Sequence, residues 1–370
     1  MIYRDGVVTK IIRTWRGACQ VEVAIEEGPT MGIPPLTGQS VRAISYERIV
    51  GPLGVGQRVR LECSALARRL GTGGSASVVT NLSALPPDYL PEGHMVKARY
   101  MPTQVMVAAS DEQDASGHEQ LANLRLKGTP VVAADLHSQL PAIIAGAKQE
   151  NPGAKIAYVM TDGASLPLPL SMQVAALVEA GWIDATVTAG QAWGGDYEAV
   201  SIPSAIQIAK LKADPDLIIV SQGPGNLGGD TEFGFSGVDV AWALTSAAAL
   251  EAKPIAALRI SGADKRSRHF GLSHHTHTAL AELTAKPALL PLPRFEGLPG
   301  IARNFDAKVR AQVERASANR HSIVPVDAAG AWESLLKCPV KLSTMGRSLE
   351  QDAAIFISAW AAGNLALQQS

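Results

Sequence analysis

Five short runs of almost wholly apolar residues, at 131–136, 156–161, 185–188, 217–221 and 255–260, recur along the middle of the chain with helical segments between them. A strand with one wet face alternates apolar and polar side chains. A run that is apolar throughout suits a parallel strand covered on both faces. The gaps carry their own signals. Residues 172–180 follow Ser171, whose hydroxyl suits an N-cap, and stop at Gly181. Residues 204–212 follow Pro203, a residue favoured in a first helical turn, and 238–252 place apolar groups at helical spacing. This alternation predicts an α/β class: a doubly wound, mainly parallel sheet with helices on both faces and right-handed crossovers.

The flanks read differently. Before residue 90, β-leaning runs at 11–12, 21–25, 40–44, 59–63 and 77–80 alternate with punctuators such as Gly28 with Pro29, Pro34 with Pro35, and Gly51 with Pro52. Short strands at this spacing predict a small β-barrel-like domain. Gly71-Thr72-Gly73-Gly74 reads as a turn of that barrel, because no Gly-Lys-Ser/Thr follows. Pro86, Pro87 and Pro91 mark a boundary loop, giving a β domain over 1–90 and an α/β domain over 91–370. Residues 97–109 read as one strand or a hairpin, and Pro102 argues against a central strand. Toward the C-terminus, 287–300 reads as a proline-rich excursion, 305–319 as a helix and 323–326 as a sixth strand. A final helix is expected over 349–367, with Ser348 and Gln351 as its capping box.

Composition bounds the function. Of 370 residues, 46% are hydrophobic and 18% charged, enough apolar material for a large core, so global disorder is excluded. With 33 basic and 34 acidic side chains the net charge is −1, and bulk charge drives neither nucleic-acid nor membrane binding. No apolar run approaches the roughly 18 residues of a membrane span. The opening MIYRDGVVTK has no signal-peptide core. Cys19, Cys63 and Cys338 form no CxxC pair, which argues against a disulfide scaffold or a cysteine metal cage. The expectation is a soluble cytoplasmic protein.

Ligands of open parallel sheets bind outside the carboxyl ends of the strands. The loops leaving the five runs carry Asp135 and His137, then Asp162, then Asp196, then Gly223-Pro224-Gly225-Asn226, and finally Lys265 to His269 continuing to Ser273-His274-His275-Thr276-His277. A shared cleft follows from that placement. Ser273 suits an N-cap for a helix running through Leu280, which would set His274 and His277 on one face and point His275 about 100° away. Imidazoles at a helix N-terminus tend to stay neutral, fit to bind a divalent transition metal or to exchange a proton. His137, His269, His274 and His275 are the candidate ligands, and Asp135, Asp162 or Asp196 could add oxygen. Metal binding, metal-free catalysis and plain helix capping all remain open. Lys265, Arg266 and Arg268 suit an anion, or equally a solvated charged loop. Gly223, Gly225 and Asn226 allow close backbone approach to a ligand without matching the P-loop or dinucleotide pattern. Ser138 and Ser273 lack a GxSxG setting and read as caps.

The segments Leu136-His137-Ser138-Gln139-Leu140-Pro141, Tyr158-Val159-Met160-Thr161-Asp162-Gly163, Gly194-Gly195-Asp196-Tyr197-Glu198-Ala199, Gly223-Pro224-Gly225 and Arg268-His269-Phe270-Gly271-Leu272-Ser273-His274-His275-Thr276 occur in this order. Together they resemble a bacterial family catalogued as domain of unknown function 3866, from the N-terminal barrel through Met345-Gly346-Arg347. The resemblance implies a bacterial cytoplasmic protein and transfers no activity, substrate or catalytic residue. His277 falls outside its pattern.

The favoured function is an enzyme that binds a small phosphate- or carboxylate-bearing metabolite. His137, His274 or His275 would serve as acid/base or metal ligand, with Asp162 or Asp196 orienting an imidazole. Lys265, Arg266 and Arg268 would hold the anion in metal-assisted hydrolysis or group transfer. The rival is a metabolite-sensing or RNA- or protein-binding regulator without catalysis, using the basic N-terminal segment and Trp15 between Arg13 and Arg16. A structural homo-oligomer is the third reading.

Overall fold

Side chains of the first five strands turn alternately in and out, and the inward set closes a core. The computed structural model describes residues 1–28, 38–70, 74–298 and 301–368. In it β1 (Tyr3–Trp15), β2 (Ala18–Glu27), β3 (Ser40–Tyr46), β4 (Arg58–Glu62) and β5 (Ser75–Asn81) form a closed barrel in the order β1-β2-β3-β5-β4. All pairings are antiparallel except β3 with β5. Val8, Val21, Val23, Val59 and Leu61 are among its fully buried residues. β1 begins well before the expected run at 11–12. Its early inward positions are Arg4 and Gly6, which break the apolar alternation. Gly6 lies so close to β2 that a Cβ there would sit 2.3 Å from the Ala24 carbonyl oxygen. The expected turn at Gly71-Thr72-Gly73-Gly74 falls largely outside the described residues.

β6 (Met95–Lys97) and β7 (Val105–Val107) pair as an antiparallel hairpin with Pro102 in the connection, which decides between the two readings of that segment. By contact the chain forms two compact units: residues 1–108 with 169–175, and residues 109–168 with 176–370.

The second unit is built on β8 (Pro130–Ala134), β9 (Ile156–Thr161), β10 (Ala185–Thr188), β11 (Tyr197–Glu198), β12 (Leu217–Gln222) and β13 (Lys253–Ala257). A small hairpin follows, β14 (Ile260–Ser261) with β15 (Gly271–Leu272), and then β16 (Leu289–Pro293) and β17 (Ser322–Val326) complete the sheet. The eight sheet strands run parallel in the order β11-β10-β9-β12-β8-β13-β16-β17. Every residue of β9, β10 and β12 is buried, as continuous apolar runs require. Expected helices appear at Met172–Glu179, Ile202–Ala213, Asp239–Ala249 and Phe305–Ser317.

Three readings need correction. The run at 255–260 is not one strand: β13 ends at Ala257, and Ile260 pairs with Leu272 in the β14–β15 hairpin. The proline-rich stretch 287–300 contains β16, a sheet strand. Its pairing to β13 is confined to Ile255 with Leu289, so Pro291 and Pro293 lie beyond it and cost that side no ladder bond. The final helix runs Ala353–Leu367 and starts later than expected. Ser348 N–H does donate to Gln351 Oε1 at 2.9 Å, but within a turn that precedes the helix.

That last helix is apolar on all sides and buried from Ala353 to Ala366, resting on β8, β13 and β16 and on the helix Leu140–Glu150. Gly146 and Gly363 let the two helices touch backbone to backbone. A Cβ on Gly363 would meet the Ile143 carbonyl oxygen at 1.8 Å. β18 (Ser343–Thr344) and β19 (Arg347–Ser348) form a hairpin just before this helix.

Candidate metal centre

Strand order fixes where a cleft must open. The chain leaves β8 toward β9 on one side, and leaves the adjacent β13 toward β16 on the other. Loops that part in this way leave a crevice at the carboxyl ends of the two strands. Asp135 follows β8 directly, and Arg259 stands two residues beyond β13. Their side chains meet across the crevice, Arg259 Nη1 to Asp135 Oδ2 at 2.8 Å, and the two residues are 4% and 3% exposed. The loop after β12 completes the enclosure. Asn226 Nδ2 donates to Asp135 Oδ1 at 3.0 Å, and Gln222 Nε2 donates to the Asp135 carbonyl oxygen at 2.8 Å.

Three histidines converge on this pair. His269 comes from the turn Ser267–His269, and His274 and His275 open the helix His274–Thr278. Ser273 caps that helix by accepting the His275 N–H at 3.3 Å, and the same hydroxyl lies 2.8 Å from His269 Nδ1. One serine therefore fixes the relation between two of the three rings. Gly271, between them, has φ +77, and a Cβ there would strike Gln312 Oε1, the acceptor of the Leu272 N–H. Ring centroids are 4.9 Å apart for His269–His274, 5.0 Å for His269–His275 and 4.4 Å for His274–His275. Phe235 stacks flat on His275 at 4.0 Å with an interplanar angle of 2°.

One ring nitrogen from each histidine lies within 4.8 Å of the other two. Imidazole nitrogens around a tetrahedral ion sit roughly 3.3 Å apart, as bond lengths of about 2.0–2.1 Å dictate. Ligation would draw the nitrogens together by up to about 1.5 Å. His274 Nε2 is buried without a hydrogen-bond partner among the described residues. An orphaned buried nitrogen calls for an explanation such as an ion. Burial, then the Arg259 charge, pushes His269 down to about 3. Burial, then the neighbouring His275, pushes His274 down to about 4. Both rings are thus neutral near neutral pH, the form that ligates metal.

Burial alone would raise the Asp135 carboxyl, but the His275 imidazole and the Arg259 guanidinium hold it at about 2. At 3.8 Å the His275 Nδ1–Asp135 Oδ2 approach is electrostatic, whereas Arg259 Nη1 lies 3.2 Å from the same Nδ1. A guanidinium only donates, so in a neutral His275 ring Nδ1 accepts and the proton sits on Nε2. Ligation through Nε2 would return that proton to Nδ1, on the side where Asp135 stands. A carboxylate behind a ligating imidazole is a common outer partner of metal sites.

The other sequence candidates divide. His277 is not among the clustered histidines, whereas His269, which precedes the helix, is. His137 is buried, with Nδ1 3.1 Å from the Tyr158 hydroxyl, and burial pushes it down to about 4 against a bond to the Gln222 backbone. Asp162 Oδ2 accepts the Gln191 N–H at 2.8 Å, and Asp196 Oδ2 accepts from Thr186 N and Oγ1 at 2.8 and 2.7 Å, so both carboxylates shape loops. Asn226 belongs to the site through Asp135. Gly225 holds φ +91, and a Cβ on Gly223 would strike the Ser165 carbonyl. Arg266 forks onto Asp264, Arg268 pairs with Asp230 at 2.5 Å, and Lys265 is exposed. Ser138 Oγ donates to Thr344 Oγ1 at 2.9 Å. In the barrel, the Trp15 indole N–H donates to the Pro169 carbonyl, and Arg13 lies 5.9 Å from its ring.

Arg259 was not anticipated. The available signal was a lone cation inside an otherwise apolar run, Ile255-Ala256-Ala257-Leu258-Arg259-Ile260. Among the described residues no helix is long and apolar enough to cross a membrane. No curated protein and no solved structure matches the chain. A family model does match residues 42–363, from within β3 through the sheet and the histidine cluster, and the chain belongs to the family described as Protein of unknown function (DUF3866).

Proposed function

We propose that the chain is a metal-dependent enzyme acting on a small anionic metabolite, with a divalent transition ion held by His269, His274 and His275. The observation that carries the reading is the convergence of three imidazoles at a strand-edge crevice, one with a buried and unpartnered nitrogen. Three imidazoles around such an ion leave a fourth position for water or substrate. A bound ion lowers the pKa of water enough to make a nucleophile near neutral pH, which fits hydrolysis or group transfer. Asp135, held by Arg259, would face the proton that His275 Nδ1 carries when Nε2 ligates, and Phe235 shields one face of the ring.

The test uses the full chain purified without chelator. Elemental analysis and titration with zinc, cobalt and manganese should show one ion per chain. His274→Gln should abolish it with little change in the melting temperature of the metal-free protein, since His274 Nε2 bonds to nothing that the substitution removes. His277→Gln should retain the ion. Loaded protein is then screened for turnover of phosphorylated and carboxylated small molecules. Failure of all three metals to bind stoichiometrically, or full occupancy in His274→Gln, overturns the proposal.

A further inference from the structure

Two guanidinium groups at the edge of this site point at one sulfur atom. Arg259 Nη2 lies 3.5 Å from Met345 Sδ, and Arg266 Nη2 lies 3.4 Å from it. Both arginines are held by further bonds, and Arg266 Nη2 shares its two protons between Asp264 and Met345. Arg259 Nη1 serves Asp135 and His275, while Arg266 Nε and Nη2 fork onto Asp264 at 3.0 and 2.9 Å. Asp264 is itself fixed by Arg347 Nη2 at 3.2 Å, and its carboxyl is held below the usual carboxylate range. The guanidiniums are thus aimed by buried carboxylates, and each leaves a donor facing Met345.

A thioether is a weak acceptor, and two charged N–H donors sharing one are poorly satisfied. An anionic oxygen at that position would accept both with shorter and stronger bonds. Met345 is also the tip of the β18–β19 hairpin, 45% exposed, with φ +46. A methionine in left-handed backbone is strained, and strain of this kind collects at ligand clamps and switch regions. The hairpin is tied to the cleft by the bond between Ser138 and Thr344, the residue directly before Met345.

We infer that Arg259 and Arg266 form an oxyanion subsite, and that the Met345 sulfur occupies the position taken by a phosphate or carboxylate oxygen when ligand binds. The inference rests on the reading of this edge as a site for an anionic metabolite, and names the residues that hold the anion. Arg259 links the subsite to the metal centre, because its other nitrogen touches His275. Of the expected anion-binding residues this keeps Arg266 and adds Arg259. Arg268, paired with Asp230, is not part of it.

Calorimetric titration of the full chain with inorganic phosphate, and separately with acetate, tests the subsite in chelator-treated and zinc-loaded protein. At least one of the two anions should bind, and if both do they should compete. Met345→Ala should tighten binding about threefold or more, because a weak competing acceptor is removed. Arg266→Gln should weaken it about tenfold, the expected loss of a charge-assisted bond. Arg268→Gln should leave it within about twofold, as for an exposed charge beyond the contact. Circular dichroism verifies that each variant is folded. Neither anion binding to wild-type protein overturns the subsite, as does weaker or unchanged binding in folded Met345→Ala. Anion binding in the chelated protein without any metal uptake would instead remove the metal centre and leave the subsite standing.

Discussion

Asp135 Oδ2 and Arg259 Nη1 lie 2.8 Å apart at the carboxyl ends of neighbouring strands β8 and β13, both shut off from solvent. The pair does two things at once. It joins strands whose onward connections diverge, and it sets the edge of His275 that faces the crevice. A buried pair gains little over well-packed apolar groups, yet either charge alone is costly to bury.

Single substitutions should therefore behave unlike the double. Asp135→Ala or Arg259→Ala is expected to cost about 3–5 kcal/mol, by leaving the partner buried and uncompensated. Asp135→Leu with Arg259→Met should cost clearly less than the two singles combined. Urea midpoints measure all of them, and singles that lose under about 1 kcal/mol would mean water reaches the pair.

His137 offers a pH signature separate from the metal centre. Its folded pKa of about 4 lies below the ordinary histidine value, through burial. The unfolded chain takes up the proton more readily, so this contribution to stability is complete above about pH 6.5 and is lost as pH falls toward 4. The loss attributable to His137 should reach about 3 kcal/mol. His137→Gln should flatten the wild-type stability curve between those pH values while leaving zinc uptake unchanged. An identical slope in both proteins would show that His137 is already solvated in the native state.

Gly363→Ala probes the helix contact beneath the sheet. The added methyl group would meet the Ile143 carbonyl oxygen, a backbone atom that cannot swing aside. The expected cost is about 2–3 kcal/mol, read as a lower thermal midpoint. Gly297→Ala adds a Cβ with nothing within 4 Å, although φ is +85 there; its smaller loss reports backbone strain without the clash. Equal losses at the two positions would discount the close approach.

Legibility followed physical simplicity. Strands covered on both faces announce themselves as apolar runs, which made β9, β10 and β12 plain and the parallel sheet with them. β16 hid because Pro291 and Pro293 look forbidden until its short pairing with β13 is known. β1 hid because Arg4 and Gly6 occupy inward positions. At the site, residue types were readable before their geometry was. His269, His274 and His275 were all legible as candidate ligands, but helical spacing alone relates only His274 to His277; the chain brings His269 to the cluster through the connection of a hairpin that periodicity cannot see. Asp162 and Asp196 carry the right chemistry in the right loops, and their oxygens are committed to Gln191 and Thr186. Arg259 was masked by the apolar company it keeps.

The buried helix Ala353–Leu367 bears on how the chain reaches this structure. Asn364 bonds Glu150 across a sequence separation of 214 residues. Until the late segment docks, β8, β13 and the helix Leu140–Glu150 lack an apolar cover that the native state requires. Contacts of such span form late, since the entropy of closing the loop precedes any reward from packing. A chain in which this segment has not yet docked would carry a bare sheet face, the kind of surface on which nascent chains aggregate or enlist chaperones. The helix that covers β8, β13 and β16 in the finished protein is therefore, for the growing chain, the cover that arrives last.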